Sequence, residues 1–387
     1  MNDDSGFFSF FPALFGGISD AQRERQKVLF PDQGWKEPGY RKDEETGLWY
    51  PPDISEHNEY KKSNAAFVSL VRNSELSGMK DSIRSVESHF NRRAGYPWVF
   101  LNDEPFTDAF KEAVQSLTRS KCYFETIPRE HWSYPEWVDE EVAREKRKEM
   151  ERKGVMYGGM ESYHHMCRFQ SGFFYKQKIL EQFDYYWRVE PDVEFYCDLN
   201  YDPFHFMEVN NKSYAFTISL HEREKTIETL WPTVQEFARL HPEHIAKDNS
   251  LNFIVDEKEN GMDGGYNLCH FWSNFEIGDL RFWRSKAYND FFDHLDRAGG
   301  FFYERWGDAP VHSIAASLFL PSSSLHQFDD IAYRHTSYMH CPNSKKALDR
   351  GKCNCNPRYS FDTKKHSCMK EWWRVTGRPL AGTERRR

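Results

Sequence analysis

No stretch of this chain is apolar for long enough to cross a bilayer. The longest apolar run, Gly6–Gly17 (GFFSFFPALFGG), contains Pro12 and has Gly at both ends, whereas a spanning helix needs about 20 apolar residues. Asp3 and Asp4 precede it, where a secretory signal would carry basic residues. The segment reads as an N-terminal arm or as a diverged membrane anchor. A basic excess is missing too. The 52 Lys and Arg stand against 60 Asp and Glu, a net charge of −8. That excludes a nonspecific nucleic-acid binder, whose footprint must be basic, and suits a protein that holds a divalent cation. The sequence also lacks G-x-x-x-x-G-K-[ST], G-x-S-x-G, H-E-x-x-H and G-x-G-x-x-G. Their absence argues against a P-loop kinase, a serine hydrolase, a zincin and an ordinary NAD enzyme.

Aromatic residues are plentiful: 32 Phe, 20 Tyr and 12 Trp. A disordered chain does not carry so many. Core filling accounts for most of them, and flat rings also suit sugar stacking. The 387 residues allow one large or two ordinary domains. Four of the eight cysteines crowd the C-terminal part as Cys341-x11-Cys353-x-Cys355-x12-Cys368. The C-x-C pair lacks the usual zinc hook, so disulfides that pin a loop-rich tail are the preferred reading. One glycosylation sequon occurs, Asn211-Lys212-Ser213.

Regular structure starts near Asn64. AAFVSLVR (65–72), YPWVFLND (96–103) and KCYFETI (121–127) read as buried strands. Helical spacing lies between them, at Met79, Ile83 and Val86, then at Phe106, Phe110 and Val114. This β-α-β-α-β order predicts an α/β fold with a parallel sheet. Ligands in such sheets bind beyond the carboxyl ends of the strands, where Arg72, Asn102 and Asp103 fall. Further on, 204–209 and 213–219 read as strands around an Asn210-Asn211 turn. In GDAPVHSIAASLFLP, Asp308 reads as a helix N-cap with Pro310 in the first turn. Residues 1–62 form a stem or arm, 63–375 one catalytic-sized domain, and 376–387 a basic tail.

Four clusters could carry chemistry. Glu190-Pro191-Asp192 offers two carboxylates, which are either oxygen ligands for Mg2+ or Mn2+ or an ordinary surface turn. Tyr163, His164, His165 and Arg168 bring polar tips among aromatics; Arg168 either meets phosphate or belongs to a core network. Glu276 lies in an apolar run and must be paired, protonated or functional; an ion pair with Arg281 is the plain alternative. Trp272 and His270 nearby could meet a sugar ring. Asp308, His335 and His340 follow, and either histidine could bind a metal.

Six strings stand in unbroken order over about residues 60–360: AAFVSLVRNSEL, YPWVFLNDEPF, SYHHMCRFQSGFFY, YYWRVEPDVEFYCDL, YNLCHFWSNFEIG and RWGDAPVHSIAASLFL. Together they resemble the fungal α-1,2-mannosyltransferases of glycosyltransferase family 15. The resemblance implies a single GT-A type domain with a mostly parallel central sheet flanked by helices. It implies transfer of mannose from GDP-mannose to the 2-hydroxyl of a mannose on a glycoprotein glycan, with retention and with Mn2+. Some members are linked instead to mannosyl phosphate transfer, and a noncatalytic mannan-binding paralogue is a further alternative. The family's Glu-Pro-Asp glutamate corresponds to Glu190 and its C-terminal metal-binding histidine to His335. Tyr163 matches its Ser-Tyr-x-His-Met tyrosine. Glu276 matches its Asn-Phe-Glu-Ile glutamate, as nucleophile or stabiliser. Arg72, Asn102, Asp103 and Arg168 become candidates for the nucleotide, and Asp308 for the acceptor mannose. Family members are type II membrane proteins of the Golgi, so a Golgi lumenal site is expected, although this chain shows no adequate anchor.

Overall fold

The computed structural model describes residues 39–54 and 62–378. The Gly6–Gly17 run, most of the rest of the arm and nearly all of the basic tail lie outside the described residues.

Seven strands build the central sheet: β1 (Ala65–Leu70), β2 (Trp98–Asn102), β3 (Cys122–Thr126), β4 (Tyr185–Val189), β5 (Tyr214–Phe216), β6 (Phe275–Asp279) and β7 (Leu325–Gln327). Their order is β7-β5-β6-β4-β1-β2-β3. Strands β1 to β4 run parallel to one another, as do β5 and β7, while β6 is antiparallel to both β4 and β5. The carboxyl ends of β1, β2 and β4 therefore share one edge.

Each face of the sheet has its own apolar core. One is packed by helix α1 (Leu76–Val86), whose Met79, Ile83 and Val86 point inward. The other is packed by α2 (Glu161–Gly172), α3 (Leu230–Leu240), α4 (Lys286–Ala298), α5 (Asp308–Phe319) and α6 (Met369–Thr376). This is the three-layer α/β architecture expected from the strand-helix alternation. Aromatics tile the core: Phe67 stacks on Trp98 with centroids 4.6 Å apart, and Phe100 stacks on Phe124 at 5.4 Å.

Two local expectations fail. Residues 204–209 are not a strand; Pro203–Val209 is a helix capped by the Asp202 side chain, which accepts from the Phe204 and His205 amides. Asp-Pro at a helix start outweighs the partial alternation of the apolar residues. Asp308 does not cap α5 either: Gly307 holds the cap position, and the Asp308 carboxylate turns inward.

The C-terminal cysteines form disulfides. Cys341 pairs with Cys355 inside the tail, while Cys353 reaches back to Cys197 and Cys368 to Cys269. A short hairpin, Arg41–Lys42 with Trp49–Tyr50, docks on the body. There the Asn210 side chain accepts from the Trp49 amide at 2.8 Å and donates to its carbonyl at 2.7 Å.

Candidate active site

The Glu190-Pro191-Asp192 turn follows β4 and is held from beneath by α1. The Ser82 hydroxyl donates to the Glu190 carbonyl at 2.8 Å and accepts from the Val193 amide at 3.0 Å. Asp192 has a φ of 60°, a left-handed conformation that costs energy outside glycine and must be imposed by its surroundings. Its amide donates to the Gly78 carbonyl at 3.1 Å. A Cβ on Gly78 would sit 2.6 Å from the Asp192 carboxylate, so a side chain there would push that carboxylate aside.

A three-stranded sheet completes this corner. Val193–Phe195 pairs with Tyr333–His335, which pairs with Tyr338–His340. The register sets His335 opposite Val193, just past Glu190 and Asp192. Burial holds the His335 pKa below its ordinary value against the opposing pull of Glu190, so the ring is neutral and has a lone pair to offer. Trp272 lies against it with centroids 5.5 Å apart, and Tyr338 lies against Trp272 at 5.4 Å. His340 is spent elsewhere, on Asp362 at 2.8 Å and the Asp329 carbonyl at 3.2 Å.

Strand alternation carries Tyr186, Arg188 and Glu190 along one side of β4. Arg188 Nε donates to Glu190 Oε1 at 2.6 Å, and its Nη1 donates to Asp308 Oδ2 at 2.5 Å. Ser273 donates to the same Asp308 oxygen at 2.8 Å. Burial alone would raise the Asp308 pKa, but Arg188 pulls it below the usual carboxylate range. Asp308 is thus a buried, ionised group.

One register step inward, Glu276 on β6 faces Arg188. It is sealed from solvent. Tyr186 donates to Oε1 at 2.7 Å and Tyr214 to Oε2 at 3.0 Å. Gly278 makes this possible, because a Cβ there would meet the Tyr186 ring at 2.6 Å. His312, one turn along α5 from Asp308, places Nδ1 3.1 Å from Oε2 and Nε2 2.9 Å from the Gln170 carbonyl. A carbonyl only accepts, so Nε2–H donates to Gln170 and the ring is pinned with its Nδ1 edge on Glu276. Arg281 instead pairs with Asp279, and the Glu276–Arg281 alternative does not hold.

Arg72, beyond β1, is exposed, while Asn102 ends β2 and Asp103 follows it, on the same edge as Glu190. Tyr163 on α2 is half-buried, with Arg305 Nη1 3.4 Å from its hydroxyl and the exposed Tyr157 ring stacked on it at 4.7 Å. Burial raises its pKa well above the ordinary value, so it stays a phenol. Arg168 is turned into the core. Its Nε and Nη2 grip Asp296 at 2.7 and 2.8 Å, its Nη1 donates to the Ser133 carbonyl, and it is 4% exposed.

The family profile described as Glycolipid 2-alpha-mannosyltransferase matches residues 22–377. Glycolipid 2-alpha-mannosyltransferase 1 of Candida albicans is 54% identical over 312 residues, 81% of this chain and 72% of the relative. The chain belongs to this family. The O-glycoside alpha-1,2-mannosyltransferase omh1 of Schizosaccharomyces pombe is 47% identical, covering 85% of this chain and 83% of the relative. Among solved structures, Core-mannan synthase A (CmsA/Ktr4) of Aspergillus fumigatus, in a Mn/GDP form, aligns with a TM-score of 0.78 and 41% identity over 90% of this chain and 93% of that one. Ktr4p of Saccharomyces cerevisiae with GDP aligns at 0.79 and 38%, over 92% and 90%. The protein is thus a mannosyltransferase, an enzyme with the GT-A fold of these neighbours.

The donor set of the mannosyltransferase suits a divalent cation. Glu190 Oε2 has no protein donor among the described residues. Asn274 Nδ2 lies 2.6 Å from His335 Nδ1 while its buried Oδ1 has no partner, so no bond on Oδ1 fixes the amide in this orientation. With the amide turned over, an exchange its shape does not resist, Nδ1–H donates to Oδ1 and Nε2 keeps its lone pair, the state a metal-ligating histidine requires. Arg188, Tyr186, Tyr214, His312 and Asn274 belong to this candidate site by their contacts, and sequence reasoning missed them. Only His312 left a local signal, at i+4 from Asp308.

Proposed function

We propose that this chain transfers mannose from GDP-mannose to the 2-hydroxyl of a mannose on a glycoprotein glycan, with retention of configuration and with Mn2+. The observation that carries the reading is Glu190 beside His335, on the sheet edge that also bears Arg72, Asn102 and Asp103. The Mn/GDP form of the Aspergillus relative supports both cation and nucleotide, and the O-glycoside enzyme supports a mannosylated glycoprotein as acceptor. Glu190 and His335 hold the cation, which when bound supplies positive charge for the diphosphate leaving group. Arg72, Asn102 and Asp103 line the nucleotide's side. Arg168 leaves that set, because Asp296 and the Ser133 carbonyl occupy its guanidinium.

As the glycosidic bond breaks, the sugar gains oxocarbenium character and needs negative charge nearby. Glu276 is enclosed by Tyr186, Tyr214 and His312. We therefore read it as a fixed stabilising charge rather than an attacking nucleophile, because electrostatic preorganisation works best in a sealed site. Tyr163, held as a phenol, orients donor and acceptor. Asp308 Oδ2 is taken by Arg188 and Ser273, and Oδ1 is left to accept from an acceptor hydroxyl. Three disulfides fit an oxidising lumen, and we place the enzyme in the Golgi lumen. No helix among the described residues is long and apolar enough to cross a membrane.

Incubation with GDP-mannose, Mn2+ and methyl-α-mannoside tests the reading. It predicts an α-1,2-linked disaccharide and free GDP. Neither product, with folded protein, overturns it, and GMP in place of GDP assigns mannosyl phosphate transfer instead.

A further inference from the structure

Away from the reaction edge, a second set of ligating side chains meets where α3 ends against α4. His241 closes α3, His244 stands in the short turn Pro242–His244, and Asp290 projects from α4. One ligand atom from each of the three lies within 4.8 Å of the other two. His244 Nε2 is 2.7 Å from Asp290 Oδ2, and the two imidazoles stack with centroids 5.5 Å apart and planes 16° apart. Phe237 underlies both rings, at 4.8 Å from His241 and 6.0 Å from His244. None of these residues or elements belongs to the Glu190–His335 corner.

We infer that His241, His244 and Asp290 form a separate site for a zinc-class divalent cation, fastening the end of α3 to α4. Two imidazoles and one carboxylate are a zinc-type set with a position left for water, and imidazole nitrogen favours zinc over manganese. The end of α3 adds to the attraction, since the free carbonyls of a helix C-terminus carry partial negative charge. Glu243, 3.2 Å from His241 Nδ1, adds a full one. Lys286 now rests on Asp290 at 2.5 Å. It is 77% exposed and on a flexible stem, so the cation displaces it into solvent. The three ligand atoms already lie within 4.8 Å of one another, so binding takes side-chain rotations that turn the in-plane lone pairs of both rings to one centre.

Equilibrium dialysis of the full chain against Zn2+ tests this, using wild type, His241→Ala, His244→Ala and His335→Ala. We expect one Zn2+ site that survives His335→Ala and is not displaced by Mn2+. Both His241→Ala and His244→Ala should weaken it at least tenfold. Zn2+ should also raise the melting temperature of wild type and not that of His241→Ala, while mannosyl transfer by His241→Ala stays at the wild-type rate. His241 is exposed enough for the substitution to leave folding intact. Absence of Zn2+ binding by wild type, or an affinity indifferent to both His241→Ala and His244→Ala, overturns the proposal.

Discussion

The two glutamates of the site live under opposite conditions. Glu190 sits at a strand end, half-buried, with one oxygen on Arg188 and the other without a protein donor among the described residues. Glu276 sits one register step inward, enclosed, with both oxygens bonded to neighbours. A ligand that must take up and release a cation needs an open lone pair. A charge that must hold still while a neighbouring centre becomes positive needs bonds on every side. Arg188 lies between them and ties the corner to the cage through Asp308.

The contrast breaks most visibly on Glu190. Glu190→Ala should lower transfer by about a hundredfold or more, the scale of removing a transition-state charge partner, with the melting temperature almost unchanged. An unstable Glu190→Ala protein would erase the distinction between corner and cage. In the cage the balance reverses. Glu276→Ala leaves two buried hydroxyls and a histidine facing a void, at about 3–5 kcal/mol of stability, so both melting temperature and activity should fall. Unchanged thermal unfolding of Glu276→Ala would mean that the cage is not sealed.

A subtler test addresses the histidine of the corner. Asn274→Ala should weaken Mn2+ binding about 10–100-fold, read by paramagnetic resonance of free Mn2+ without any turnover. Asn274→Asp, which keeps an acceptor beside Nδ1, should restore most of it. Failure of that rescue would assign Asn274 a packing role only. The smallest effect is expected beyond the corner, at the buried His340–Asp362 pair. Burial alone would lower the His340 pKa, but Asp362 outweighs it and the net shift is upward. A raised histidine stabilises fully below its unfolded value of about 6.5 and loses that contribution as pH climbs through the folded one. The melting temperature should therefore decline from pH 6 to pH 8.5, less steeply in His340→Asn. An identical slope in both proteins would remove the pair from the account.

The two halves of the comparison were unequally visible in the chain. Glu190 could be singled out because a carboxylate pair around proline at the end of an apolar run is a local pattern, and parallel strands send such ends to one edge. The partners of Glu276 could not. Tyr186, Tyr214 and His312 reach it across the sheet and from a helix, and one sequence holds no record of which distant residues will face one another. Asp308 was placed by local helix grammar as a cap, whereas its carboxylate goes to Arg188, 120 positions away. The same limit hid the partners of Cys353 and Cys368, since spacing within the tail says nothing of Cys197 and Cys269. The helix at Pro203–Val209 was legible in principle, through Asp202-Pro203.

The bond between Cys197 and Cys353 joins positions 156 apart, and half of the candidate site is threaded between them, with Glu276, Asp308, His312 and His335, while Glu190, Arg188 and Tyr163 precede it. Chain-entropy arguments put closing so large a ring at roughly 5 kcal/mol. The ring thus cannot be closed until Cys353 has been made, and it then waits for an oxidant. A ribosome-bound fragment, or a full chain bathed in thiol, would hold the ingredients of the reaction without the stitch that gathers them.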